Sequence, residues 1–500
     1  MSFQSPPAAH RSAEGDILDT HRAGPAAVRG GTIRVAGYAA GVVLTVGSSA
    51  LVFRHLGVVD SGRYVTVLAL TSLIAGVTDI GLTTIGIREL AVVDPEARRR
   101  LIANVLGLRL VLTLGGVASA VAFAALAGYD HQMITGALIA GLGVVTVALQ
   151  VTLGIPLLVQ LRLGWVTLLE LLRQAVLVAG LVVLVISGAG LLPLLAMQAP
   201  AGIAALVLTG WLVRRHVPLL PSFKSGEWRL LLREILPFAA ATVVAAIYFR
   251  AALIVLGLVS SPTETGYFSV SFRVIEVLLL VPNLLVGAAF PILARGARDD
   301  HSRLAYGVDR VFHASILLGA CVMVGLVLGA PFVTDIVAGH DFAASADVLR
   351  IQAVALMMSF AATALFYAML SLRMHGAVLA VASILLVVNV VLAALLGSAH
   401  GAVGAALATL AAELLGLGLL LIVLLRSRPA LVPGVHGLPG VAVATAAGLA
   451  VWLIPGLPSM AAATLGIGVF AAVALLTRTV PPEFTEALLH RQTGTTSAKE

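Results

Sequence analysis

Polar positions along this chain are sparse, and the apolar runs between them set its plan. Fourteen runs follow one another, at approximately 34–53, 64–87, 101–127, 132–156, 164–187, 191–213, 236–258, 266–292, 311–335, 347–371, 376–396, 401–425, 438–454 and 458–477. A hydrocarbon core of about 30 Å takes roughly 20 helical residues to cross, and each run supplies them. The runs are continuous rather than alternating, so they predict helices that satisfy their own backbone within lipid. The expected fold is an all-α polytopic membrane protein of about 14 transmembrane helices. Two pseudo-symmetric six-helix lobes carry twelve of them, and two further helices close the C-terminal end.

The polar stretches give the boundaries. Residues 1–31 read as a disordered tail, 32–213 as the first lobe and 235–426 as the second. Residues 427–478 hold the two extra helices, and 479–500 a second tail. The linker 214–234, RRHVPLLPSFKSGEWRLLLRE, reads either as a short interfacial helix carried by Trp228, Leu230, Leu231 and Leu232 or as a plain connector. Between the first two runs a turn is expected at Val58-Val59-Asp60-Ser61-Gly62.

Composition agrees with the pattern: 60% of residues are hydrophobic, 11% are charged, and the mean hydropathy is +1.06. A soluble domain is nearer one-quarter charged. The net charge of +7 does not point to nucleic acid, because no basic face is interleaved with aromatics. The arginines act instead as orientation signals: they crowd the tails and every second loop, while the alternate loops hold only Arg54, Arg63 and Arg350. That asymmetry places both termini in the cytoplasm of a plasma-membrane protein.

Several chemistries lack their residues. Lys224 and Lys499 are the only lysines, so a phosphate-cradling GxxxxGK[ST] loop is absent. There is no HExxH or GxSxG, Cys321 is alone, and the histidines are scattered without ligand spacing. The reading is a non-enzyme with no metal and no bound cofactor, with coupling to H⁺ or Na⁺ left open. An intramembrane glycan polymerase or ligase stands as the rival from another class.

Charges inside the apolar runs carry the functional reading, because an intramembrane ionisable group is costly and faces a bundle interior. Asp79, Arg109, the i,i+3 pairs Glu170/Arg173 and Arg273/Glu276, Arg250 and Glu413 are of this kind. The pairs either neutralise themselves or line a wet cavity. On the cavity reading, Arg109, Arg173, Arg250 and Arg273, with Asn283, bind substrate. Asp79, Glu170 and Glu276 balance charge or exchange ions, and Arg34 and Arg88 contact headgroups at a cytoplasmic gate. Arginine forks match phosphate oxygens, so the substrate is anionic, with a phosphate or diphosphate. Aligning Gly62 with Gly266 sets Asp79 opposite Asn283 and relates the two halves as parallel repeats, with a site at their interface. Pro282 makes the eighth segment a candidate bending element.

Arg54-His55-Leu56-Gly57, Gly62 with Tyr64, Asp79-Ile80-Gly81-Leu82 and Arg88-Glu89-Leu90-Ala91 resemble the opening of the polysaccharide (Wzx/RfbX-like) flippases of the multidrug/oligosaccharidyl-lipid/polysaccharide exporter superfamily. The second half resembles them at Leu256-Gly257, Gly266-Tyr267-Phe268 and Phe290-Pro291-Ile292-Leu293. The resemblance spans about residues 32–480. It implies alternating access and movement of an undecaprenyl-diphosphate-linked oligosaccharide between leaflets, among membrane lipids and glycan-assembly proteins. Many such proteins carry an acid just after the arginine of helix seven. Here Ala251-Ala252 follow Arg250. A peptidoglycan-precursor flippase and a cation-coupled multidrug exporter are the rivals within the superfamily.

Overall fold

The computed structural model describes residues 23–479 apart from 80, 93, 216 and 300. Its side chains are described from residue 40 on, apart from 84, 85, 91–93, 95, 225, 230, 234–239, 241, 242, 288, 291, 292, 299 and 301. The expected tail 479–500 lies almost wholly outside the described residues, as do residues 1–22 of the N-terminal one.

Among the described residues all regular structure is helical. The first half comprises α1 (Ala23–Asp79), α2 (Leu82–Val92), α3 (Pro95–Leu126), α4 (His131–Val159), α5 (Leu163–Ile186), α6 (Leu191–Ala196) and α7 (Gln198–Val213). The second comprises α8 (Ser225–Val259), α9 (Pro262–Leu278), α10 (Leu280–Asp299), α11 (His301–Ala338), α12 (Ser345–Ser371) and α13 (His375–Ser427). Helices α14 (Leu438–Leu449) and α15 (Ser459–Leu476) pack against α11. Among the described residues ten helices are long and apolar enough to cross a membrane, and Val243–Val259 and Leu438–Leu453 are shorter apolar ones.

Two of the long helices fold back on themselves at a single glycine. In α1 the break is Gly57, at φ 70°, and in α13 it is Gly401, at φ 57°. Positive φ is cheap only for glycine. Val52 packs on Tyr64 and Val67 across the first break, and Ala393 packs with Ala405 and Ala408 across the second. The expected turn at 58–62 is therefore already helix: one glycine reverses the chain, and no longer loop is needed. Each of the fourteen apolar runs falls on a helical part of this arrangement.

Further breaks fall inside membrane-length runs. α1 ends at Asp79 and α2 begins at Leu82, with Gly81 at φ 74° just before it, α6 gives way to α7 at Met197, and α9 gives way to α10 at Leu279. Pro282 lacks an N–H and cannot donate to the Leu278 carbonyl one turn upstream. The Asn283 amide donates to the Leu279 carbonyl at 2.8 Å.

At the arginine-poor end the two halves touch backbone to backbone. A Cβ on Gly62 would lie 2.7 Å from the Gly266 nitrogen, and one on Gly266 would lie 2.1 Å from the Val58 carbonyl oxygen. The pair aligned as repeat equivalents thus meets face to face. Arg54 donates to the carbonyls of Asp335 (2.9 Å), which also accepts from Gly339 N–H, and Ile336 (3.0 Å), in the last turn of α11. Phe53, Val270, Val337 and Phe342 pack beneath it. Tyr129, between α3 and α4, donates to the Ile254 carbonyl of α8 at 3.4 Å, and burial pushes its phenol up to about 12, so it remains a protonated donor.

The linker is neither a free interfacial helix nor a loose connector. Ser225 begins α8, and the segment before it docks on α3. Asn104 Oδ1 accepts from the Trp228 indole at 2.7 Å, its amide donates to Glu227 at 2.8 Å, and Ser222 N–H donates to the Ala103 carbonyl at 2.8 Å. Gly107 lets the strand of linker lie flat, because a Cβ there would sit 2.1 Å from the Ser222 oxygen.

Candidate functional site

A cavity of about 530 Å³ lies between the halves. Helix α1 lines it on both sides of the Gly57 reversal, with Thr45, Ser48, Ser49 and Val52 on one limb and Tyr64, Leu68, Thr71 and Ser72 on the other. α3 contributes Arg109, α5 contributes Arg173 and Gln174, α8 contributes Arg250, and α9 contributes Arg273 and Glu276. A second space of about 460 Å³ adjoins it, lined by Glu170 and sharing Thr45, Gln174, Arg273 and Glu276. All four expected arginines therefore reach one place, two from each half.

None of these guanidinium groups is bare. Removing a charge from water costs several kcal/mol after relaxation, so partners are expected. Arg109 is buried and ion-paired with Asp79, which also accepts from the Thr83 hydroxyl at 2.7 Å. Arg173 pairs with Glu170 one turn back, its Nε lying 3.3 Å from Oε2. Glu276 is shared: Oε1 lies 3.2 Å from Arg250, and Oε2 lies 2.6 Å from Arg273. Arg273 Nε also donates to Ser49 Oγ at 2.9 Å, across from α9 to α1. Arg250 stands over the Phe249 ring, 5.3 Å from its centroid. The i,i+3 pairs are thus ion-paired, with Glu276 shared by Arg250, and they line the two adjoining spaces. Four guanidinium groups face three carboxylates, leaving one positive charge in excess. A ligand with two or more anionic oxygens can take over these forks from the carboxylates.

The other expected site residues stand apart. Asn283 is exposed on α10 and bonds to the Leu279 carbonyl just before that helix, away from the cavity lining. Arg88 is exposed on α2 beside Glu89, at 2.9 Å. Arg34 lies outside the residues whose side chains are described.

Sequence reasoning left one polar cluster without a role. Glu413 on α13 accepts from the Tyr248 hydroxyl at 2.7 Å. The Asn389 amide faces the Tyr248 carbonyl at 3.5 Å, and Asn389 Oδ1 is buried without a partner. Gln352, Ser359 and Thr409 complete the lining of a void of about 50 Å³. Of the four interior carboxylates, Asp79, Glu170 and Glu276 have a guanidinium partner, and Glu413 has a phenol instead. The available signal was Asn389 and Glu413 on two consecutive apolar runs, but nothing in their spacing showed that the Gly401 reversal brings them together.

This arrangement defines an all-α polytopic membrane protein with a central cavity between two helical halves, the architecture of membrane transport proteins. The profile of the polysaccharide biosynthesis protein family matches residues 27–297, and the chain belongs to that family. No curated protein sequence matches it. Among solved structures it is similar to the lipid II flippase MurJ in an inward closed conformation, at TM-score 0.75 and 15% identity over 92% of this chain and 100% of that one. A multidrug resistance MATE family transporter of the MOP superfamily, inward-facing, gives TM-score 0.57 and 14% identity over 77% and 96%. A MOP superfamily transporter from Pyrococcus furiosus, described as having a binding pocket of reverse polarity, gives 0.52 and 15% over 84% and 100%. At such identities the likeness is one of fold.

Proposed function

We propose that this protein is a flippase that carries an undecaprenyl-diphosphate-linked oligosaccharide across the plasma membrane by alternating access, for surface polysaccharide assembly. The observation that carries the reading is the convergence of Arg109 and Arg173 from the first half with Arg250 and Arg273 from the second on one cavity. A site built by both halves is remade whenever they rock, which is what exposure to one leaflet and then the other requires. The diphosphate would displace Glu276 and Glu170 from their arginines, while Ser48, Ser49, Thr71 and Gln174 offer hydrogen bonds to sugar. In this reading fourteen crossings form two lobes, 32–213 and 235–426, joined by 214–234 and followed by two helices in 427–478. Both termini face the cytoplasm, and glycan-assembly proteins are the natural neighbours. Glu413 is the coupling acid for H⁺ or Na⁺, because its charge is not already committed to an arginine.

The test is reconstitution. In proteoliposomes, movement of a diphosphate-linked oligosaccharide lipid should exceed that of lipid II and of cationic drugs. Arg173→Ala or Arg273→Ala should lower it at least about tenfold, the loss of one charge-assisted contact of roughly 1.5–3 kcal/mol, with the protein still monodisperse. Equal rates in both variants would remove the arginines from the mechanism. Preference for lipid II would reassign the substrate, and product lengthening would show an enzyme.

A further inference from the structure

The cavity walls bear on the sugars as well as on the diphosphate. We propose, resting on the flippase reading above, that the oligosaccharide carried is uncharged: neutral sugars that present hydroxyl groups, without uronic acids or other acidic substituents.

The charges of the site nearly balance. Arg109, Arg173, Arg250 and Arg273 line the first space together with Glu276, and Glu170 lines the second. Asp79 pairs with Arg109. Four cations against three anions leave a single positive charge. A diphosphate esterified at both ends brings two negative charges, which exceeds that surplus. Glu170 and Glu276, once displaced from their arginines, stay in the walls and repel a further acid. A carboxylate on the glycan would therefore leave water with no cation to meet it, and an unpaired charge in such a site is costly.

The hydroxyls of the wall have a matching polarity. Each has one proton to donate and lone pairs to accept with. Ser48 and Ser49 donate to the Thr45 carbonyl, at 3.0 and 2.8 Å. Thr71 donates to the Leu68 carbonyl at 3.0 Å, and Ser72 donates to the same oxygen. Bonding back onto the preceding turn commits each proton within α1. Lone pairs are then what both limbs of α1 offer to the cavity. Ser49 Oγ already acts this way, accepting from Arg273 Nε at 2.9 Å. Sugar hydroxyls can donate to such a wall. An ionised carboxylate has acceptors alone and would set lone pair against lone pair. Gln174 and Gln198 add neutral amides to the same space. Rejection of an acidic glycan thus comes from groups left unpaired as much as from repulsion.

The experiment uses the full chain in proteoliposomes and three polyprenyl-diphosphate lipids. One carries a short oligosaccharide of neutral hexoses, the second has one hexose replaced by a uronic acid, and the third is the methyl ester of the second. The neutral lipid and the ester should cross at similar rates, and the free acid at least about tenfold more slowly, the weight of one buried group left unsatisfied. Glu170→Gln removes one anion from the wall, so it should raise the rate of the free acid relative to the neutral lipid by about fivefold. Free acid moving as fast as the neutral lipid would overturn the inference. So would an ester as slow as the acid, which would show that bulk and not charge is sensed, or an unchanged ratio in Glu170→Gln. In each of those results the neutral lipid still moves, so the flippase reading survives. Movement of none of the three by monodisperse protein would overturn that reading and this inference with it.

Discussion

Glu276 ties two arginines from neighbouring helices to one carboxylate, the group that an anionic ligand would have to displace under the proposed function. Glu276→Gln keeps the shape and removes the charge, leaving Arg250 and Arg273 to repel each other. Removing one partner of a fully buried pair costs about 3–5 kcal/mol. The Glu276 side chain is 25% exposed, so the loss here should be smaller. The expected result is a lower melting temperature without ligand and a larger rise on adding inorganic diphosphate, read by thermal unfolding with and without the anion. A variant stabilised no more than wild type by diphosphate would mean that Glu276 does not compete with substrate. Glu413 asks the opposite question. Its hydrogen bond to Tyr248 survives in Glu413→Gln, but the amide cannot gain or lose a proton. Transport driven by a proton or sodium gradient should fall at least about fivefold, while exchange at equal concentrations on both sides persists. Loss of both would mark Glu413 as structural.

Among the elements, the linker between the halves is tied down on α3 rather than hanging free. Asn104 is its anchor on α3, with three contacts to Lys224, Glu227 and Trp228. Asn104→Ala removes them at once, each worth about 1 kcal/mol. Tryptic cleavage at Arg214, Arg215 or Lys224 should accelerate by about tenfold or more, since local opening governs proteolysis. Unchanged cleavage would show that other contacts hold the segment. Asn104 also marks where sequence reading stops. Apolar runs, the sparse arginines of alternate loops and interior charges are local properties, so the helices and the four cavity arginines were legible. Asn104 on α3 gives no local sign of a partner 124 residues away. Gly57 and Gly401 were visible as glycines, but only the packing of their flanking limbs shows that one residue suffices to reverse the chain. Asn283 was legible as polar in an apolar run, but not that its amide would bond back to the Leu279 carbonyl rather than face the cavity.

For the molecule as a whole, the decisive contrast is between an arginine-bearing cavity and a tightly closed arginine-poor end. Gly62 and Gly266 meet with no room for a side chain, and Arg54 bridges from α1 to the end of α11. Under the proposed alternating access both contacts would have to separate, and their strength would set the balance between the two states. Arg54 is exposed, so its two hydrogen bonds are worth about 1 kcal/mol in competition with water, and Arg54→Ala should shift the balance only about fivefold. Gly266→Val acts harder. Its Cβ would fall 2.1 Å from the Val58 carbonyl oxygen, a backbone atom that cannot swing aside as a side-chain tip would. The halves must part at that end, and the substituted protein should rest with the cavity open on the arginine-poor side. Val52, 1% exposed and in the cavity wall near that end, reports the change. With Cys321 replaced by Ser, a cysteine at 52 should react with a membrane-impermeant maleimide on intact cells about tenfold faster in Gly266→Val than in its parent. Transport by Gly266→Val should fall at the same time, because a protein held in one state completes no cycle. Faster labelling with transport intact would place the Gly62–Gly266 contact outside the cycle. Unchanged labelling in monodisperse protein would show that this end does not open.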